Sequence, residues 1–430
     1  MSTILEHPEA QTLLEQTDVA PETVNSCSRR LTAFIQRYLS CFYRTEQRDH
    51  ADTILRGKLS GLQRKTTEPI ATQAQEKRRP LQLFVGAGQW SDDAVTTELR
   101  RHVQAEIGTP QGVLILDPSG VAKKGTQSCG VQRQWCGNLG KKENCQVGVF
   151  LGYATPRGKA LVAARLFLPE KRAQDQQHRT KTYVPKDVTY QEKWRIGLDL
   201  VRGVGPDLSH AWVVGDDEFG RASELRAWLR FDKQRYALDV PCNTLIRDLS
   251  QRRPARRPGG PERLPEWENV AAWANRQPKK RWRYFTIRNG EKGPLRVKAL
   301  QQWVQTKDED GCPGPRERLV VIQSVEKNPR TWYVLSNASK DIALAAIVGA
   351  HGERHRIEEL FEEGKQEVGL AHYEVRSWTG WHHHMTLTLL ALWFLQLERL
   401  QLGEKKSGPD GVVDSPDFHD VAPAATAQRA

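Results

Sequence analysis

Three carboxylates in this chain stand where acids can do chemistry. Asp117 follows the apolar run Val113-Leu114-Ile115-Leu116, and Asp216 follows Ala211-Trp212-Val213-Val214-Gly215. Continuous apolar runs of this length read as buried central strands, so both acids are expected just past a strand end. The third, Glu358, lies in the stretch from His351 to Lys365. At about 100° per residue, a helix places His351, Arg354, Glu358 and Lys365 within an arc of roughly 60°. Ile357, Leu360, Phe361 and Val368 make the core-facing stripe. Glu359 points off to the side of the charged stripe, so the period selects Glu358. Such a stripe also serves as a solvated face with an ordinary Arg354–Glu358 pair, and a lone Asp past a strand also serves as a cap or turn residue. Three carboxylates from three elements ask for more. Buried acids need a counter-charge, and a divalent cation supplies one. Oxygen-only ligands favour Mg²⁺ or Mn²⁺ over zinc. Two ions roughly 4 Å apart would activate a water or a 3′-hydroxyl and stabilise the leaving oxygen in phosphodiester chemistry.

The charge balance points to a polyanionic partner. Over 430 residues, 64 Lys and Arg against 52 Asp and Glu leave a net charge of +12, with a pI near 9.4, which suits nucleic acid but says nothing of fold. Lys123, Lys124, Arg133, Lys141 and Lys142 form a basic region after Asp117, interleaved with Gln132, Gln134 and Trp135. It reads as a DNA contact or a solvated loop. The seven cysteines lack a C-x-x-C pair, so neither a zinc ribbon nor a disulfide framework is indicated, and reduced thiols fit best. The start carries no secretory pattern, and the apolar run from Met385 to Leu397 is too short to span a bilayer, so no membrane role is expected. Trp381-His382-His383-His384 fans its rings about 100° apart on a helix, which suits a core-edge cluster or a phosphate contact better than a metal site.

The elements that must position the acids form a mixed α/β chain. Residues 1–108 read as a helical, basic, DNA-binding or packing domain, with Leu31, Phe34, Ile35, Tyr38, Leu39 and Phe42 at helical spacing and a loose tail before about residue 23. Residues 109–243 run strand, meander, helix, strand, helix, strand. Residues 244–330 read as a β-rich insertion that opens with a basic, Pro- and Gly-rich loop at Arg247–Arg263 and carries Trp267, Trp273, Trp282 and Trp303. Residues 331–403 return to the core pattern with the charged helix and a packing helix over Thr386–Leu402. Residues 404–430 read as a disordered tail.

The charged helix resembles the Y-x2-R-x3-E-x6-K signature of bacterial insertion-sequence transposases of the DDE superfamily, with Arg354, Glu358 and Lys365 in register. Asp117 in Leu-Asp-Pro-Ser-Gly and Asp216 in Val-Val-Gly-Asp-Asp-Glu-Phe-Gly match that family's first two catalytic acids. The likeness covers most of residues 110–400, and His351 stands at the signature's Tyr position. It implies an RNase H-like core, a mixed sheet flanked by helices, with a helical N-terminal domain and a β-rich insertion. It further implies Asp117, Asp216 and Glu358 as catalytic metal ligands for Mg²⁺, with Mn²⁺ able to substitute and two ions in use. Arg354, Lys365, His351, Lys123, Lys124 and Arg133 would contact DNA, Glu218 would support, and tryptophans of the insertion would stack on an extruded base or fill a small core. The partners implied are double-stranded DNA, at transposon ends and target, and a second copy of the chain, in bacterial cytoplasm. A DNA-binding regulator derived from a transposase and an RNase H-like nuclease remain as alternatives.

Overall fold

The computed structural model describes residues 21–251, 265–290, 293–308 and 310–406. Most of the expected N-terminal tail, the centre of the Arg247–Arg263 loop and nearly all of the C-terminal tail lie outside them. The described residues open with five helices: α1 (Pro21–Leu39), α2 (Thr45–Lys58), α3 (Thr67–Gln73), α4 (Arg78–Ala87) and α5 (Asp92–Ile107). As the spacing predicts, Phe34, Ile35 and Tyr38 of α1 are buried, with Phe42 just beyond it. Ser91 caps α5 by accepting from the Ala94 N–H.

The core follows as β1 (Val113–Ala122), β2 (Gln132–Cys136), β3 (Lys141–Thr155), β4 (Gly158–Leu166), α6 (Lys193–Val204), β5 (Trp212–Gly215), α7 (Asp217–Gly220), α8 (Ser223–Phe231) and β6 (Tyr236–Asp239). β1 pairs antiparallel with β3 and parallel with β5, β3 pairs antiparallel with β4, and β5 runs parallel to β6. The strand order β4-β3-β1-β5-β6, in which β3 alone runs against the other four, makes this an RNase H-like mixed α/β core. The hairpin of β2 and β3 pairs Gln132–Cys136 with Lys141–Cys145, against the same β3 residues that run past the end of β1.

β7 (Leu245–Asp248), β8 (Glu268–Asn269), α9 (Val270–Asn275), β9 (Arg283–Gly290), β10 (Gly293–Lys307), β11 (Pro313–Ser324) and β12 (Thr331–Ser336) come next. β12 pairs with β6 and β11 with β12, so the inserted strands continue the core sheet, which reaches twelve strands. Trp273 is buried in a small cluster of their own with Ile246, Val304 and Leu319. The described residues close with α10 (Leu344–Gly352), α11 (His355–Gln366) and α12 (Trp378–Lys406). α12 is sheathed in buried Leu, Trp and Phe and packs on β4 and on the N-terminal helices, joining them to the core. Its His383 faces the Val85 and Trp90 carbonyl oxygens at 3.2 and 3.1 Å, and His384 faces that of Leu370 at 3.3 Å. The histidine run is a core cluster. Among the described residues no helix is long and apolar enough to cross a membrane.

Two local readings need correction. β1 does not stop at Leu116; Asp117 sits in mid-strand, because β3 goes on pairing as far as Ala122. β5 leaves β1 after Leu116, and a strand paired on one side only tolerates Pro118. Nor are residues 351–368 one helix. α10 ends at Gly352, where any Cβ would stand 2.5 Å from the Ile287 side chain of β9, and α11 begins at His355.

Candidate functional site

Where β5 ends beside the middle of β1, a cavity of about 570 Å³ opens, lined by Asp117, Asp216, Glu218, Glu358, Lys193 and Lys365 among others. Asp117, Asp216 and Glu358 come from three different elements, and each is placed by a local reason. Asp117 is half-buried, on a strand whose preceding four residues are fully buried. Asp216 caps the one-turn α7: its Oδ1 accepts from the Glu218 N–H at 3.0 Å and the Phe219 N–H at 3.4 Å. The turn lies flat against the end of β6, where a Cβ on Gly220 would meet the Asp239 carbonyl oxygen at 1.8 Å, so glycine is required. Glu358 projects from the first turn of α11, its side chain 58% exposed, while Ile357, Leu360 and Phe361 of that helix are buried. Glu359 turns away to an ion pair with Lys159 at 2.7 Å.

Arg354 is the cation inside this group. Its Nη2 is 3.3 Å from Glu358 Oε1 and its Nε is 3.4 Å from Asp239 Oδ2. Burial works against its charge, but Asp239, Asp117, Glu358 and Asp216 outweigh that and raise its pKa. The acids feel the opposite pressure. Burial first, then the negative charge of Asp216, pushes the Asp117 carboxyl well above the usual range, with Arg354 opposing. Asp216 is pushed up to about 6 by burial and by Glu218. Glu218 itself is held by Lys193, at 2.6 Å, from the first turn of α6.

The other residues singled out by sequence are spread around this centre. Lys365 lines the cavity and donates to Asn138 Oδ1 at 3.1 Å; burial lowers its pKa, against Cys136 and Asp117. Lys124 and Arg133 are exposed. Lys123 turns inward, donating to the Tyr373 carbonyl oxygen at 2.9 Å and lying 3.3 Å from that ring's centre; burial brings it down to about 8. His351 is buried, with Nε2 2.8 Å from Asp239 Oδ1 and its ring edge-on to Trp332. Two members of the site were not anticipated. Asp239 ends a third apolar strand, Tyr236-Ala237-Leu238, and so carried the same signal as Asp117 and Asp216. Lys193 carried none, since only the fold brings α6 to the cavity.

The donor set suits a hard divalent cation: all oxygen, with more clustered negative charge than Arg354 alone offsets. Among the described residues, however, no three His, Cys, Asp or Glu side chains stand close enough to share one ion. Arg354 holds the counter-charge position, paired to Glu358.

Residues 37–294 match a family described as DDE superfamily endonuclease. The match begins within α1 rather than near residue 110, takes in Asp117 and Asp216, and ends before Glu358. Over 133 residues the chain is 33% identical to the probable transposase for insertion sequence element IS701 of Microchaete diplosiphon, which covers 29% of this chain. The chain spans about a third of the length of that curated relative, 33%.

Proposed function

Since the chain belongs to the DDE superfamily endonuclease family, we propose that it is a DNA transposase, cleaving double-stranded DNA at transposon ends and joining the freed 3′-hydroxyl to target DNA. The observation that carries this reading is the convergence of Asp117, Asp216 and Glu358, from β1, the end of β5 and α11, on one cavity that Lys365 also lines. The probable transposase among its relatives supports the choice of transposition over plain nuclease action.

In this mechanism Asp117, Asp216 and Glu358 would hold Mg²⁺, or Mn²⁺ in its place, and two such ions would supply activation of the attacking oxygen and charge neutralisation at the leaving one. Arg354 and Lys365 grip phosphate oxygens beside the scissile bond. Arg354 pairs with Glu358 in the free chain and would trade that carboxylate for a phosphate oxygen once DNA is bound. Asp239 stays behind it and keeps the guanidinium oriented. Lys193 keeps Glu218 at the cavity wall. Lys124 and Arg133 extend the contact to flanking phosphates. Two transposon ends require two such sites, so the active species is a homodimer on DNA, working on the nucleoid in the bacterial cytoplasm.

The test is cleavage and strand transfer on DNA carrying the element's own terminal repeats, with Mg²⁺ or Mn²⁺, beside Glu358→Gln. Metal-dependent products from the wild type and none from the variant are expected. Undiminished products from Glu358→Gln, or none from the wild type with Mn²⁺ and cognate ends, would overturn the assignment.

A further inference from the structure

One aromatic at the cavity has no packing role that accounts for it. Trp135 lines the cavity wall and is nonetheless 55% exposed, whereas the tryptophans of the inserted strands are occupied elsewhere. Trp273 is buried and donates its indole N–H to Asp248 Oδ2 at 2.8 Å. Trp267 lies 4.3 Å from the Arg247 guanidinium and 5.4 Å from Lys307 Nζ. Neither they nor Trp282 and Trp303 line the cavity.

The strand that carries Trp135 is arranged for a polyanion. On β2 the exposed residues alternate, so Arg133 and Trp135 share a face while Cys136 is buried between the strands. Register places Lys142 of β3 directly opposite Trp135, and cross-strand partners point to the same side. The face therefore reads Arg133, Trp135, Lys142: an indole between two exposed cations. At its tip, Asn138 accepts from Lys365, which ties the hairpin to the acid-bearing helix.

We infer that Trp135 is a stacking platform for a nucleobase with an uncovered face, flanked by Arg133 and Lys142 on the neighbouring phosphates. This rests on the proposed DNA reaction and deepens it. Indole stacking is sequence-tolerant because every base has a π-face, and interleaved cations supply the backbone contacts. A base inside a duplex has both faces covered by its neighbours and cannot use the platform. The ligand is therefore either an unpaired base beside the scissile phosphate or the last base pair of a cut end. Both place the DNA terminus against the ribbon and the reacting phosphate over Asp117.

The test is binding, not turnover, in Ca²⁺ and with Glu358→Gln as the background chain. Three probes of one sequence are compared: a dumbbell closed at both ends, a blunt duplex, and a duplex with a three-nucleotide unpaired 3′ end, the last two carrying 2-aminopurine at the terminus. The background chain is expected to bind an open end about tenfold tighter than the dumbbell and to quench the fluorophore, in keeping with the usual strength of one base–aromatic stack. Trp135→Ala should lose that preference and the quench while holding the dumbbell within twofold, and Trp135→Phe should keep most of both. Preference for the blunt end assigns the terminal pair, and preference for the unpaired end assigns the extruded base. An open-end preference that survives Trp135→Ala, or its absence before mutation, overturns the platform. The DNA reaction itself falls separately, in the cleavage assay with Glu358→Gln.

Discussion

His351 Nε2 lies 2.8 Å from Asp239 Oδ1, and the other oxygen of the same carboxylate lies 3.4 Å from Arg354 Nε. The histidine is thus a neighbour of the arginine through a shared acid, and the three side chains come from α10, the end of β6 and the turn before α11. Its buried place makes a direct phosphate contact and a positioning role separable by experiment. His351→Ala is expected to keep DNA affinity within about twofold and its salt dependence unchanged, since a lost phosphate contact lowers the salt slope. It should cost about 1–3 kcal/mol of stability, because it leaves a buried acid short of a partner. A drop in affinity that scales with salt would restore the contact role.

Glu358 and Glu359 are adjacent and chemically identical, so they give a clean contrast. Glu358→Gln removes an oxygen donor at the cavity and is expected to lower metal-dependent cleavage by about a hundredfold or more. Glu359→Gln weakens the pair with Lys159 and should cost at most about 1 kcal/mol of stability with little change in rate. Equal rate losses in the two variants would show that the helical period had selected the wrong residue.

The site was legible wherever local pattern carried the information. Apolar strands placed Asp117 and Asp216 at one end of the sheet, and helical period separated Glu358 from Glu359. Asp239 could have been found by the same rule, since its strand ends as theirs do. What the local pattern could not carry was long-range pairing. The length of β1 is set by β3, some thirty positions on, so Asp117 lies within a strand. At the break after Gly352 the backbone packs against Ile287, from a strand of the insertion, leaving no room for a Cβ. Lys193 reaches the cavity only because α6 packs against the core sheet, and β10 escapes notice because its polar Gln301, Gln302 and Gln305 interrupt the apolar positions Val297, Leu300 and Val304.

The inserted strands grip the core through a buried ion pair. Arg226 of α8 lies 3.1 Å from Glu317 Oε1 of β11 and 3.1 Å from Thr306 Oγ1 of β10, and also donates to the Gly220 carbonyl oxygen at the end of the turn that Asp216 caps. Tyr236 of β6 donates to the same Glu317 oxygen at 2.5 Å. Arg226 and Glu317 are 6% and 1% exposed, so removing one partner strands a buried charge. Arg226→Met is expected to cost about 3–5 kcal/mol in denaturant unfolding, and Arg226→Met with Glu317→Leu to recover much of it. Strict additivity of the two single losses would deny the coupling.

Lys58 gives a pH dependence of known sign. It is buried between α2 and α12, donating to Thr388 Oγ1 at 2.7 Å and to the Val368 carbonyl oxygen at 3.4 Å. Burial, with Lys65 adding to it, brings its pKa down from 10.5 to about 7. Between those values the unfolded chain holds a proton that the folded chain has released, so folding stability gained from this group rises with pH. Below about pH 7 both states are protonated and the contribution is flat at its least favourable level. The stability of the wild type relative to Lys58→Met should therefore grow by about 2 kcal/mol or more from pH 7 to pH 10. Denaturant unfolding of both chains at pH 6, 7, 8.5 and 10 measures it, because groups common to the two cancel in the difference. A difference that does not change with pH would mean that Lys58 keeps its ordinary pKa in the folded chain and that its ammonium is satisfied by Thr388 and Val368 after all.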